Sequence, residues 1–336
     1  MLNMKFGAFY GGRRPRGYDN PKTYIEQIEQ VLYTDKMGFE SAWFSEHHFT
    51  ANIVPSPLLM STYVAGLTKN IRVGPAVQLL PFHNPIRVAE ETALIDVITN
   101  GRLNLGVGKG PNTKIEYWLN HEKTKYNDSS LDYTQSIEIF GEALDIMLAA
   151  WKHEKFSYKG KFNDINDIKI WPKPVQKPHP PIYVAAQQPS GVKWIAKQGY
   201  NILMGGSWFD IEESKKDLDL FKDELKIHGH NYDDTDVVFS IATYVDDTNK
   251  IAQNHVQKDM DYLVKQMKTI IPFPDNYDWR DILPVGDIDH CTSILKEIKK
   301  VGFKHVILFT NLFSLPHSKL MPSLEKICKY VKPRSE

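Results

Sequence analysis

The stretch IRVGPAVQLLPFHNPIRVAEETALIDVITNGRLNLGV, residues 71–107, decides the fold. Ile71–Leu80 is an apolar run without strict alternation, as expected of a strand covered on both faces. Pro85–Thr99 follows as a helix, with Val88, Ala89, Ala93, Leu94 and Val97 able to face a core. Leu103–Val107 is the next strand. The same alternation extends in both directions. Upstream lie a strand at Lys5–Tyr10, a helix from Asn20 to about Lys36, a strand at Ala42–Ser45 and a helix at Pro57–Leu67. Asn20-Pro21 has the form of an N-cap followed by proline at the first helical position. Downstream, helices alternate with strands at Pro181–Ala186, Asn201–Met204, Val237–Val245 and Val306–Thr310. Eight strands, each followed by a helix, predict an α/β fold: a (β/α)8 TIM barrel, one domain over residues 1–336. Two stretches interrupt the pattern. Phe156–Pro181 reads as a hairpin-and-loop insertion after the fourth helix, and Ile271–Leu283 as an aromatic, proline-containing loop after the seventh.

Composition limits the function. Lys+Arg and Asp+Glu both number 41, so the formal net charge is zero. A strongly basic nucleic-acid binder and an acidic disordered chain are excluded. No apolar run spans a membrane. MLNMKFGAFYGG lacks the apolar stretch of a secretory leader. Cys291 and Cys328 have neither metal spacing nor a disulfide framework. A cytoplasmic protein is expected.

A barrel carries its chemistry at the C-terminal ends of its strands. The sharpest group there is Glu46-His47-His48-Phe49. Histidine exchanges protons near neutral pH, and a neighbouring carboxylate can fix its tautomer. Consecutive extended histidines point apart, so no shared metal is expected; His47 is read as facing the mouth and His48 as packing behind. Gly106-Val107-Gly108-Lys109-Gly110 has two readings: close backbone approach to a phosphate beside a lysine, or a tight barrel-mouth turn. Gln187–Gly191 leads directly into a helix, so free N–H groups, Ser190 and a positive dipole end converge. The plain alternative is an ordinary cap. Arg87, Glu90 and Arg102 are read as ion pairs bracing helices or a subunit interface, Glu212–Lys226 as a solvated face, and Trp43, Phe44 and Trp194 as core. The Arg13-Arg14-Pro15-Arg16 loop is either solvated or one wall of an entrance for an anionic molecule.

In this order, these strand ends resemble the bacterial luciferase-like flavin monooxygenases. The resemblance rests on MKFGAFY (4–10), GFESAWFSEHHFT (38–50), NPIRVAEETALIDVITNGRLNLGVGKG (84–110), PIYVAAQQPSGVKWIAKQG (181–199) and PVGDIDHCTSILKEIKKVGF (284–303). It implies a flavin-binding barrel that uses reduced FMN, supplied by a separate flavin reductase, and O2 to oxidise a small organic substrate. It implies that His47 assists the oxygen chemistry of the flavin and that Glu46 lies near its ring. Ala76-Val77 corresponds to a cis-linked pair under that ring. Lys109 takes the place of a phosphate-binding arginine, and Gln187, Gln188 and Gly191 those of the phosphate-loop Glu, Ser and Thr. Ser207-Trp208 corresponds to a pair beside the ring. Gly108 stands where the luciferase α subunit has a reactive cysteine, so light emission is not implied. The resemblance also implies a homodimer through the second and third helices, with Leu58, Leu59, Met60, Tyr63 and Val64 supplying apolar surface. Two other classes stand beside this reading: a deazaflavin-dependent oxidoreductase on the same barrel, and a non-catalytic flavin-binding protein.

Overall fold

In the computed structural model, Trp43, Tyr183, Leu203, Val238 and Ile307 form a small cluster inside a ring of strands. Their strand neighbours, such as Ala42, Phe44, Ile182, Val184, Val306 and Leu308, belong to a far larger outer core. A period of two on strands buried on both faces requires this division. The structure describes residues 4–15, 17–48, 52–110, 133–186, 188–205, 211–267 and 277–336.

The elements are β1 (Lys5–Tyr10), α1 (Asn20–Lys36), β2 (Ser41–Phe44), α2 (Pro57–Leu67), β3 (Arg72–Pro75), β4 (Gln78–Leu79), α3 (Pro85–Ile98) and β5 (Leu105–Gly108). Then come α4 (Tyr133–Lys152), β6 (Phe156–Lys159), β7 (Asp164–Ile168), β8 (Ile182–Ala185), α5 (Pro189–Gln198), β9 (Asn201–Gly205) and α6 (Ile211–Ile227). The chain continues through β10 (Val237–Ala242), β11 (Tyr244–Val245), α7 (Asn249–Met267), α8 (Trp279–Ile282), β12 (Val285–Gly286), α9 (Ile288–Val301), β13 (His305–Phe309) and α10 (His317–Lys326).

The main sheet runs β3-β2-β1-β13-β10-β9-β8-β5-β4, and every pairing in it is parallel. Its two ends, β3 and β4, are halves of one strand separated by Ala76-Val77. That continuity closes the ring as an eight-stranded barrel. Ile71–Leu80 is therefore not one unbroken strand: β3 pairs with β2 and β4 with β5, and the chain changes partner between them. The Ala76–Val77 peptide is cis, as the resemblance implies. Val237–Val245 is also divided. β11 leaves the barrel to pair with β12. The insertion after α4 carries the antiparallel hairpin β6–β7.

Several local expectations are corrected. Asp19, not Asn20, caps α1, its Oδ1 accepting from Lys22 N–H at 2.9 Å. Among the described residues Arg102 makes no ion pair. It donates to the carbonyls of Ala65, Thr68 and Ile71 and so holds the end of α2, which has no glycine cap. Arg87 does pair, with Glu90 and Glu91. Trp43 and Phe44 are core, but Trp194 is 36% exposed and packs at an angle to Phe140 and Tyr200. Of the apolar residues named on α2, Leu58 and Val64 are buried; Leu59 (71% exposed) and Tyr63 (57%) face outward with Leu67. On neighbouring α3, Leu94, Val97 and Ile98 are exposed as well. Among the described residues no helix is long and apolar enough to cross a membrane, and no group of His, Cys, Asp and Glu has the geometry of a metal site.

A polar chain closes the N-terminal end of the barrel. Tyr183 Oη donates to Asp236 at 3.0 Å, and His305 Nδ1 lies 2.9 Å from the same carboxylate. His305 Nε2 is 3.0 Å from Ser41 Oγ, which accepts from Trp43 Nε1 at 2.7 Å.

Candidate active site

The opposite end of the barrel gathers the sequence-predicted residues on successive strand ends. Glu46 and His47 follow β2, Ala76-Val77 splits β3 from β4, Lys109 follows β5, and Gln188–Gly191 follows β8. Gln187, Ser207, Trp208 and Arg16 lie outside the described residues, as do residues 271–276 of the aromatic loop. The rest of that loop places Tyr277, Trp279 and Arg280 around a cavity of about 570 Å³ against Asp261, Val264 and Lys265 of α7.

Glu46 is a hub. Its carboxylate is fully enclosed and receives four hydrogen bonds. Oε1 takes His48 Nε2 at 2.9 Å and His83 Nε2 at 2.8 Å. Oε2 takes Gln78 Nε2 and Leu79 N–H, both at 2.8 Å. One side chain thus ties the end of β2 to β4. The carboxylate expected to fix the tautomer of His47 binds His48 and His83 instead. The reason is strand geometry: residues 46 and 48 share a face and residue 47 points the other way. His48 packs behind, as read from the sequence.

His47 is held by its backbone, its N–H donating to the Val54 carbonyl at 2.9 Å. Among the described residues the imidazole itself has no hydrogen-bond partner. Burial pulls its pKa below the ordinary histidine value; the neighbouring charge of His48 pulls the same way, and Glu46 opposes both. A partly buried, neutral imidazole at a barrel mouth can take a proton and return it.

The glycines after strand four have their own cause. A Cβ on Gly106 would stand 2.2 Å from the Pro75 carbonyl oxygen, and one on Gly108 would stand 2.7 Å from Val77 Cγ2. These glycines let β5 approach the divided strand, a packing cause that neither a phosphate nor a tight turn supplies. Gly108 has no room for a cysteine side chain unless Val77 moves.

Lys109 Nζ reaches the Gly110 carbonyl at 3.2 Å. β8 pairs with β5, so Lys109 lies beside the start of α5. That start has no side-chain cap, and Gln188, Pro189 and Ser190 are exposed. The N–H groups of Ser190 and Gly191 are open to an anion. Three buried oxygens at strand ends also lack partners: Ser45 Oγ after β2, Gln78 Oε1 in β4 and Thr310 Oγ1 after β13. Buried polar groups without partners are rare and costly. Together these groups suit a polar ligand lying across the mouth with an acidic tail at α5.

Sequence reading missed the roles of Gln78 and His83. Both follow the split strand, but their convergence on Glu46 spans 32 and 37 residues, and no local spacing encodes it.

The model of the luciferase-like monooxygenase family matches residues 4–302. The oxygenase component of the flavin-dependent trigonelline monooxygenase of Acinetobacter baylyi is 28% identical over 252 residues, 74% of this chain and 67% of its own. Among solved structures, the oxygenating constituent of 3,6-diketocamphane monooxygenase from Pseudomonas putida, a type II Baeyer-Villiger enzyme in complex with FMN, superimposes with a TM-score of 0.81. It is 21% identical, with 99% of each chain covered. An F420-dependent secondary alcohol dehydrogenase in complex with an F420–acetone adduct gives 0.79 at 17% identity, with 100% of each chain covered. At these identities the two structures share a fold with this chain.

Proposed function

The chain belongs to the luciferase-like monooxygenase family, and from that premise we propose that it is a cytoplasmic monooxygenase using reduced FMN and O2 to oxidise a small organic substrate. The observation that carries the reading is His47: a partly buried imidazole, held by its backbone at the barrel mouth and unpartnered among the described residues, with its pKa drawn down. A storage or carrier protein has no use for such a group, which argues against a non-catalytic flavin binder.

The residues present fit FMN. Lys109, Ser190 and the open N–H groups of Ser190 and Gly191 would hold the phosphate, with Gln187 and Gln188 on the same turn. Ala76 and Val77 would lie under the ring, and Gln78, next along the strand, has a buried Oε1 without a partner. Trp208 is assigned to the ring's edge by the family resemblance. When bound, reduced FMN supplies the electrons that activate O2. His47 holds a proton on its ring nitrogen and passes it during that activation. Glu46 keeps His48 and His83 in place and braces the strand ends around the ring.

The reduced flavin comes from a separate reductase, a reading supported by the relative being an oxygenase component. Two copies of the chain pair through the exposed apolar faces of α2 and α3.

The likeness to an F420 enzyme supports a second reading, a deazaflavin-dependent oxidoreductase. Titration with reduced FMN and with reduced F420, while following O2 uptake and product mass, separates the two. Oxygen uptake and a product heavier by 16 Da with FMN alone are expected. Tight F420 binding without oxygen uptake overturns the monooxygenase reading.

A further inference from the structure

The loop after β1 is tied down from Gly11 to Arg13. Gly11 N–H donates to Asn311 Oδ1, the Gly12 carbonyl accepts from Ile53 N–H, and Arg13 pairs across to Asn52 in an antiparallel bridge. The next rung of that contact is the Val54 carbonyl, which holds the backbone of His47. Arg13 is thus built into the frame that positions His47.

Its guanidinium is anchored at one nitrogen only. Nε donates to Ser314 Oγ at 3.3 Å, in the loop after β13. The nearby Asp259 carboxylate accepts from Ser314 N–H and makes no pair with Arg13. Among the described residues both terminal NH2 groups of Arg13 lack an acceptor, although the side chain is half-buried. A half-buried guanidinium without a carboxylate leaves a rigid fork of donors unused. The adjoining strand ends carry the other unpaired groups of this side, the buried hydroxyls of Ser45 and Thr310. Gly11 lies against one of them: a Cβ there would meet the Phe309 ring and stand 3.7 Å from Ser45 Oγ. The phosphate-binding features lie elsewhere on the ring, after β5 and β8. Two anion-suited places on different strand ends fit two different anionic groups.

We propose that the organic substrate is itself an acid and that Arg13 receives its carboxylate or equivalent oxyanion, with the Ser45 and Thr310 hydroxyls beside it. This rests on the monooxygenase reading and names the substrate class of that site. A fork gives planar, two-point recognition of a carboxylate, which an amide of the same shape cannot reproduce.

The test uses matched acids and amides on the full-length chain, with and without FMN: benzoate against benzamide and hexanoate against hexanamide, by calorimetric titration at low salt. At least one acid should bind about tenfold tighter than its amide, and added salt should shrink the difference. Arg13→Gln should abolish the preference. Arg14→Gln should keep it, because Arg14 is exposed and reaches only Asn20. Arg13→Lys keeps the charge without the fork and should retain part of it, which decides the matter if Arg13→Gln does not fold. No acid preference in wild type, or a preference that survives Arg13→Gln, overturns the proposal. So does an Arg13→Gln variant that loses affinity for FMN but not for riboflavin, since the anion met by Arg13 would then be the cofactor phosphate. Failure of the flavin reading is scored separately, by flavin titration of wild type, because the acid–amide difference is also read without flavin.

Discussion

Alternation along one extended segment separates Glu46 from His47, and their tasks separate with it. Glu46 is enclosed among four donors, whereas the His47 imidazole finds no partner among the described residues. His47→Ala should lower turnover by about 10²–10⁴-fold while circular dichroism stays native, the usual loss for an acid–base group. Burial and the His48 charge lower the His47 pKa, so the folded chain binds fewer protons there than the unfolded one. Its contribution to stability is therefore present at neutral pH and lost as pH falls below the ordinary histidine value, and the acid limb of a turnover–pH profile should lie below that value. An acid limb centred above it counts against His47 as the titrating group. Glu46→Gln should act on stability first. The amide has one acceptor oxygen where the carboxylate had two, and its NH2 would face donors. A loss of about 1–3 kcal/mol in urea unfolding is expected. An unchanged midpoint would show that the four bonds contribute nothing net.

Helix α5 begins without a side-chain cap and beside a lysine on the neighbouring strand end. Lys109→Ala should weaken FMN by roughly tenfold or more and riboflavin much less, because only FMN carries the phosphate. Equal losses for both ligands, measured by fluorescence quenching, would remove Lys109 from the phosphate site. This part of the site was legible in the sequence because its signals are local: a strand end, a Gln-Gln-Pro-Ser-Gly turn and a helix start adjoin in the chain. The barrel was legible for the same reason, since apolar strands and helices alternate at short range. What stayed hidden depends on partners far along the chain. The break in Ile71–Leu80 arises because β3 and β4 pair with different strands, which an apolar run cannot announce. Arg102 looks like one half of an ion pair in sequence, yet its acceptors are the carbonyls at the end of α2. Gly106 and Gly108 resembled a phosphate loop, and it took the Pro75 carbonyl and Val77 to give them a packing cause.

The two ends of the barrel differ in how completely their polar groups are satisfied. Among the described residues the mouth keeps unpaired oxygens and an unpaired imidazole. The N-terminal end instead links Tyr183, Asp236, His305, Ser41 and Trp43 into one chain. Burial pushes the Asp236 carboxyl up, but the charge and hydrogen bond of His305, with Lys5 and Tyr183, outweigh it and hold the pKa at about 2. A carboxyl depressed in the folded state stabilises above its unfolded value and loses that contribution as pH falls through the folded one. Stability should therefore drop by about 2 kcal/mol between pH 5 and pH 2 through this group, and Asp236→Asn should flatten that part of the profile. An identical acid profile in the variant would detach the plug from acid stability. On the outside, the same economy of burial leaves one flank unfinished. Leu59, Tyr63 and Leu67 on α2 and Leu94, Val97 and Ile98 on α3 expose apolar surface on adjacent helices. Exposed apolar surface of this kind suits an interface. The proposed dimer would bury it by symmetry, since each copy offers the same face. The double variant Leu59→Glu/Tyr63→Glu places two charges at that face and should convert the dimer to a monomer, read by light scattering at micromolar concentration. The flavin affinity of the folded monomer should stay within a few-fold of wild type, because Lys109, Ser190 and Ala76-Val77 all come from one barrel. A wild-type chain that is already monomeric at that concentration would leave the patch without this partner.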